Sequence, residues 1–246
     1  VPDLLANSPL WDERKAPSIE NAAILAVIGG FLDAFTYVGH GHVFANAMTG
    51  NVVLLGIYGI AKSWGQSFRH LPPIITFMFG IGAAHVLLLP HMRQRMRYPY
   101  VTVVSIELLI LITLSLLPNS TPDLWITTSI AFAASMQVET FRTVNGRNFN
   151  STFTTGNLRT LTEGIFDILL RHKREEARGK TNDFAVICLA FFLGATIGGF
   201  ATSHFGNRAL FFGDALLAAL LIRLWPRGES PTPAEQLQPA ERRSDS

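Results

Sequence analysis

The stretch FANAMTGNVVLLGIY, residues 44–58, decides how this chain is read. It is mostly apolar, yet it carries the polar turn-former Thr49-Gly50-Asn51. Lipid offers no partner for the backbone groups that such a turn releases, so its presence in a membrane-like segment is costly. The triplet returns as Thr155-Gly156-Asn157, 106 residues later, inside another largely apolar segment. Each copy begins sixteen residues after an acid, Asp33 in the first case and Glu139 in the second.

Eight apolar runs spread out from these two stretches: Asn21 to Val38, Val43 to Ala61, Pro72 to Pro90, Tyr100 to Leu117, Leu124 to Thr143, Phe153 to Leu170, Phe184 to Phe205 and Ala209 to Trp225. With the same offset Phe35 meets Phe141, Val38 meets Val144 and Leu55 meets Leu161. Allowing about eight extra residues for the basic stretch Arg171 to Lys180, Gly80 meets Gly194 and Glu107 falls close to Asp214. The ordered set of triplet, acids and glycines predicts two homologous halves, 19–117 and 122–225, in one membrane domain over 19–225. Residues 1–18 read as a solvated N-terminal tail and 226–246 as a disordered one.

Composition points the same way. The chain is 48% hydrophobic and 15% charged, against about 25% charged for an ordinary soluble domain. Its basic clusters flank apolar runs and lack interleaved stacking aromatics, which argues against a nucleic-acid partner. Cys188 is the only cysteine, leaving no internal disulfide or cysteine zinc site. The first eighteen residues hold no cleavable signal-peptide pattern.

Basic residues decide the number of crossings. Leaving out Arg159, which lies within a segment, eight crossings would put 13 Lys and Arg inside and 6 outside. If the second and sixth runs instead enter and leave by one face, six crossings remain and the count becomes 16 to 3. The positive-inside rule prefers six, with both termini cytoplasmic. Three crossings per half invert the second half, so the expectation is an all-α polytopic protein of about six transmembrane helices plus two broken or re-entrant helices, as an inverted repeat. The two broken segments would then meet near the midplane from opposite faces.

The run Gly30-Phe31-Leu32-Asp33-Ala34, followed by Phe44 and Met48-Thr49-Gly50-Asn51, resembles the YoaK-like family of bacterial integral membrane proteins. The likeness covers roughly Asn21 to Trp225. It implies about six spans in the bacterial inner membrane and no established activity. The family tends to carry an amide-rich Gly-x-Gln-Asn stretch in the second half; Gln137 fits, whereas Ser135, Val138 and Glu139 do not.

The candidate site residues are Asp33, Thr49, Gly50, Asn51, Glu107, Glu139, Thr155, Gly156, Asn157 and Asp214. Glu107 and Asp214 lie near the middle of apolar spans, where acids mark proton or cation pathways or are structural carboxyls satisfied by a neighbouring helix. Asp33 suits a helix-end cap or an ion pair. Glu139 with Arg142, and Arg159 with Glu163, have the spacing of structural ion pairs. The two triplets offer hydroxyls, amides and backbone groups for coordination, or else mark glycine-mediated helix packing with Asn satisfying a broken turn. His40 and His42 read as a solvated link, and His85 as a hydrogen-bonded structural residue. No metal, cofactor or enzymatic constellation is expected. The functional expectation is a small-solute, proton or cation transporter or channel with a midplane site at the repeat interface. The alternatives are a membrane scaffold with buried structural acids and, behind it, a membrane enzyme.

Overall fold

The computed structural model describes residues 18–93, 98–144, 147–152, 154–170 and 174–225. The tails over 1–17 and 226–246, Arg95, Arg97, Phe153 and residues 171–173 lie outside the described residues. Helix α1 spans Ile19–Gly39, begun by Ser18, whose Oγ accepts from Asn21 N at 3.4 Å. Its 21 residues rise about 31 Å, the thickness of a bilayer hydrocarbon core. Leu25, Ile28, Phe31 and Phe35 of α1 are fully buried, and its large exposed apolar residues, Tyr37 and Val38, sit at its C-terminal end. A helix apolar on every side belongs in the centre of a bundle.

Around it stand α2 (Met48–Ile60), the short α3 (Trp64–Ser67), α4 (Leu71–Leu87), the short α5 (Pro90–Arg93), α6 (Pro99–Ser115) and α7 (Asp123–Thr140). A two-residue β1/β2 hairpin pairs Thr143–Val144 with Arg147–Asn148, and α8 (Thr154–Leu169), α9 (Arg174–Phe205) and α10 (Leu210–Leu224) follow, the last two joined by a 3-10 turn over Gly206–Ala209. Prolines sit in the first turns of α4 and α6, where a missing N–H costs nothing. The fold is all-α apart from the hairpin. Ile19–Gly39, Trp64–Leu87 and Glu175–Leu224 are long and apolar enough to cross a membrane. Met78, Phe79, Leu109, Phe192, Phe200 and Ile222 project outward from α4, α6, α9 and α10, a surface suited to lipid and not to water.

Glycines set which helices touch most closely. A Cβ on Gly30 would overlap the Phe191 carbonyl, one on Gly194 the Val27 carbonyl, and one on Gly198 would lie 2.5 Å from Phe31 O. These contacts advance together along both chains, so α1 and α9 run parallel with their backbones in contact. Gly80 of α4 makes the same approach to Phe132 and Ser135 of α7, and His85 meets Glu139 further along, so that pair is parallel too. Gly213 lies against Leu111 while Asn207 bonds the Leu117 and Pro118 carbonyls, which makes α6 and α10 antiparallel. The expected match of Gly80 with Gly194 is thus a match of packing roles. Close approach was expected at the triplet glycines, and here the reading is corrected: a Cβ on Gly156 would meet nothing within 4 Å, and one on Gly50 would meet only the Phe44 ring.

The triplets do not interrupt a helix; each lies in a first turn. After α1 the chain reverses at Gly41 and His42, both with positive φ (71° and 59°). It then runs back beside α1 until Asn46 Nδ2 donates to Gly29 O at 3.0 Å, halfway down that helix. Only there does α2 begin. Asn51 closes the loop: its Oδ1 accepts from Phe44 N at 3.0 Å and its Nδ2 donates to Phe44 O at 2.6 Å. Asn157 repeats the stitch on Asn150, accepting from its N at 3.3 Å and donating to its O at 2.6 Å. Both asparagines are buried and both reach back seven residues. The second re-entry differs in its approach. Helix α7 ends at Thr140, and the β1/β2 hairpin carries the chain out and back, pairing its own backbone groups.

The charges of the sixth run are also relocated. Helix α9 has 32 residues, about 48 Å, and already begins at Arg174 inside the stretch read as a basic loop. Thr181, which abuts Gly164 of α8, lies thirteen residues before Gly194, or about 20 Å below the level of Val27. Helix α1 starts only about 12 Å below that level, so this end of α8 and α9 extends past the start of α1. The Arg159–Glu163–Lys180 ion pairs (3.0 and 3.1 Å) lie close to this end, with Arg159 and Glu163 exposed.

Two outcomes follow. Gly194→Leu and Gly30→Leu should prevent accumulation of folded protein, while Gly156→Leu is tolerated, as measured by monodispersity in detergent. Asn51→Ala and Asn157→Ala should each cost roughly 1–3 kcal/mol by stranding buried backbone groups, read as a lowered thermal midpoint.

Candidate functional site

The site is built on the middle of α1. Asp33 is buried and its Oδ1 accepts from Asn46 N at 2.8 Å and Ala47 N at 3.3 Å, at the start of α2. A carboxylate there satisfies orphan N–H groups and opposes the positive end of the helix dipole. One turn on, Thr36 Oγ1 accepts from Ala45 N at 3.1 Å while donating to Leu32 O at 3.0 Å. The backbone N–H groups of four consecutive residues, Phe44 to Ala47, therefore all find partners, the first on Asn51 and the other three on α1.

The second re-entrant tip arrives at the same place. A Cβ on Gly29 would lie 2.4 Å from the Ser151 carbonyl oxygen, too close for any residue but glycine. Gly29 thus holds Asn46 on its carbonyl and Ser151 on its Cα, so both tips converge on one residue. From Ser151 a polar chain continues outward. With its nitrogen turned toward Glu107, the Gln137 amide donates to both carboxyl oxygens (3.0 and 3.1 Å) and its oxygen accepts from Ser151 Oγ at 2.6 Å. Glu107 is 1% exposed, so this amide replaces the water it lost.

The other acids are placed differently. Asp214 is buried, and neither of its oxygens has a hydrogen-bond partner among the described residues. Ser115 is its polar neighbour, but that hydroxyl donates to the Ile112 carbonyl at 2.8 Å. Ser115 is eight residues, or about 12 Å of helix rise, beyond Glu107, so the two acids do not share one centre. Glu139, although spaced like Asp33, does not bond the start of α8; it pairs with Arg142 and with His85 Nδ1 at 3.3 Å. Thr49, Thr155 and Gly156 are exposed on the outer sides of α2 and α8, and Gly50 is half-buried. The structure brings together Asp33, Glu107 and the loops that Asn51 and Asn157 stitch; it does not bring the threonines, triplet glycines, Glu139 or Asp214 to that centre.

No group of three His, Cys, Asp or Glu that could hold a metal occurs among the described residues. His40 is not solvated: it is 4% exposed, with Nδ1 3.0 Å from Asp123 Oδ1. His42 turns instead to the edge of Tyr37, at 5.1 Å between ring centres. A cleft of about 240 Å³ opens beside His40, lined by Arg69, Asp123 and Thr127 among others. Asp33, Glu107 and Asp214 have no ion pair with Lys, Arg or His among the described residues.

Sequence reasoning missed Asn46 and Ser151, the residues by which the tips meet. A polar residue five or six positions before each triplet asparagine, in an otherwise apolar stretch, is the signal that could have found them.

No curated protein sequence and no solved structure matches this chain. A protein-family profile does, from the start of α1 almost to the end of α10. Its match to residues 21–223 places the chain in DUF1275, a family of proteins of unknown function.

Proposed function

We propose that this protein is a multi-pass cell-membrane transporter or channel for a small solute or ion, with its site where the two re-entrant tips meet at Gly29. The observation that carries the reading is that convergence: two loops, from opposite ends of the bundle, reach one glycine beside buried Asp33 and Glu107. Non-helical backbone at membrane depth is tolerated where it is buried in protein or lines a cavity, and such breaks recur at transporter binding sites.

An inverted repeat fits the helix pairings. Exchanging α1 with α7, α2 with α8, α4 with α9 and α6 with α10 turns the parallel α1/α9 pair into the parallel α7/α4 pair. It maps the antiparallel α6/α10 pair onto itself. In this reading α1, α4, α6, α7, α9 and α10 cross the membrane, α2 and α8 re-enter, and both termini are cytoplasmic, as the basic residues favour. The likeness to YoaK-like bacterial membrane proteins agrees with an inner-membrane location.

A second reading, a membrane scaffold with structural acids, is favoured by the partners of two of them. Asp33 caps α2, and Glu107 holds the Gln137 amide. Asp214, which lacks a donor, is the acid that this reading leaves unexplained. An enzyme is the weaker alternative.

The crossing number is tested in a Cys188→Ser background with single cysteines. Positions 95 and 173 should label from the cytoplasm and position 121 from outside; labelling of 95 from outside restores eight crossings. The function is tested by a thermal-shift screen of the purified protein against metabolites and ions, followed by flux in proteoliposomes. Glu107→Gln keeps an oxygen for the Gln137 amide while removing the titratable proton. It should fold, insert and abolish the pH dependence of any flux. A scaffold would give normal folding and no flux in either protein.

A further inference from the structure

We propose that the cleft beside His40 binds a small zwitterion, an α-amino acid, between the guanidinium of Arg69 and the carboxylate of Asp123. The cleft gathers one end of three helices: His40 and Gly41 follow α1, Arg69 stands just before α4, and Asp123 opens α7. Its volume of about 240 Å³ suits a small occupant. It lies eleven residues of α1, or about 16 Å, from Gly29, so it is separate from the place where the loops meet. Binding here does not rest on the transporter reading. Under that reading, the cleft is where a solute is first captured.

The two charges border one gap. A Cβ on Gly41 would lie 3.4 Å from Asp123 Oδ2 and 3.6 Å from Arg69 Nη1. These atoms are therefore at most about 7 Å apart, yet no ion pair joins them. Gly41 has φ 71°, a conformation that favours glycine, so the turn itself keeps the gap free of a side chain. Asp123 is oriented by buried His40, whose Nδ1 lies 3.0 Å from Oδ1. A carboxylate only accepts, so the ring donates there whatever its charge and leaves Oδ2 for another donor. Exposed Arg69 has no ion pair among the described residues, and a guanidinium presents paired N–H donors that match a carboxylate.

This arrangement selects its ligand by charge. A lone anion is repelled by Asp123 and a lone cation by Arg69, whereas a molecule with both charges satisfies both. Two charge-assisted hydrogen bonds of about 2.8 Å take up most of the gap, which calls for an ammonium and a carboxylate on one carbon. The ethanolamine headgroup of a lipid carries the same two charges, but along a longer arm. Val43 and Leu124 add an apolar wall for the amino acid's side chain. With six crossings the cleft opens on the outer face, where Arg69 is one of three basic residues. A binding role accounts for a cation on the face that the positive-inside rule leaves poor in them.

Isothermal titration calorimetry of the full chain in a non-ionic detergent tests the proposal. The probes are glycine, L-valine, L-valinamide, which lacks the carboxylate, and isovalerate, which lacks the ammonium. L-Valine should bind, and the last two should bind at least about tenfold more weakly, each having lost a charge-assisted hydrogen bond. Arg69→Gln should weaken L-valine by roughly ten- to hundredfold, and so should Asp123→Asn, which still leaves His40 an acceptor. The thermal midpoint of the unliganded protein should barely move in either. Should a variant fold poorly, the probes on the parent chain still decide. Failure of both amino acids to bind, equal binding of L-valinamide or isovalerate, or unchanged affinity in both variants overturns the proposal. So does tighter binding of O-phosphoethanolamine, which reassigns the cleft to a lipid headgroup. A chain that moves solute past Gly29 without this cleft still shows flux, so these outcomes leave the transporter reading standing.

Discussion

The first re-entrant loop exists because α1 supplies what lipid cannot, a set of hydrogen-bond partners at membrane depth. Asp33, Thr36 and the Gly29 carbonyl take up Asn46, Ala47 and Ala45, and Asn51 takes up both polar groups of Phe44. An unpaired backbone group in hydrocarbon costs several kcal/mol, so a loop of this kind is stable only against such a helix. The requirement also fixes α1 in the centre of the bundle. Its surface is divided between the loop, the Ser151 tip at Gly29 and the backbone of α9 along Gly30, Val27 and Phe31.

The two re-entries meet this requirement by different chemistry. In the first half an acid binds the incoming backbone. In the second half the acid with the same spacing, Glu139, is held by Arg142 and His85. The return there is managed by a hairpin, by Asn150, whose Oδ1 accepts from Thr152 N at 2.9 Å, and by Gln137. The asparagine stitch occurs at both re-entries, while the charges beside them differ.

Much of the fold was legible because apolar runs and the bilayer thickness fix where helices stand. All eight runs correspond to helices, and the match of Gly80 with Gly194 was visible through the offset once about eight extra residues were allowed for the basic stretch. What was hidden follows from the use of backbone. Asn51 and Asn157 bind main-chain groups seven residues back, and main chain leaves no residue type to recognise at Phe44 or Asn150. The triplet was therefore visible but its role was not. The early start of α9 was obscured by its charges, which suit a helix projecting from the bilayer as well as a loop. His40 appeared solvated because its neighbours are small and polar; its burial depends on Asp123 in the other half.

The exchange of partners between halves bears on how the chain is made. Each glycine-lined pair takes one helix from the first half and one from the second, so α1 is synthesised long before the surface that Gly30 requires. From Gly30 to Gly194 there are 164 further residues, which at 5–20 residues per second occupy roughly ten to thirty seconds of translation. During that interval α1, its loop and the exposed backbone around Gly29 and Gly30 wait in the membrane or the insertion machinery without their partner. The first half is thus a nascent state in need of shelter, and biogenesis becomes committed only as α9 emerges.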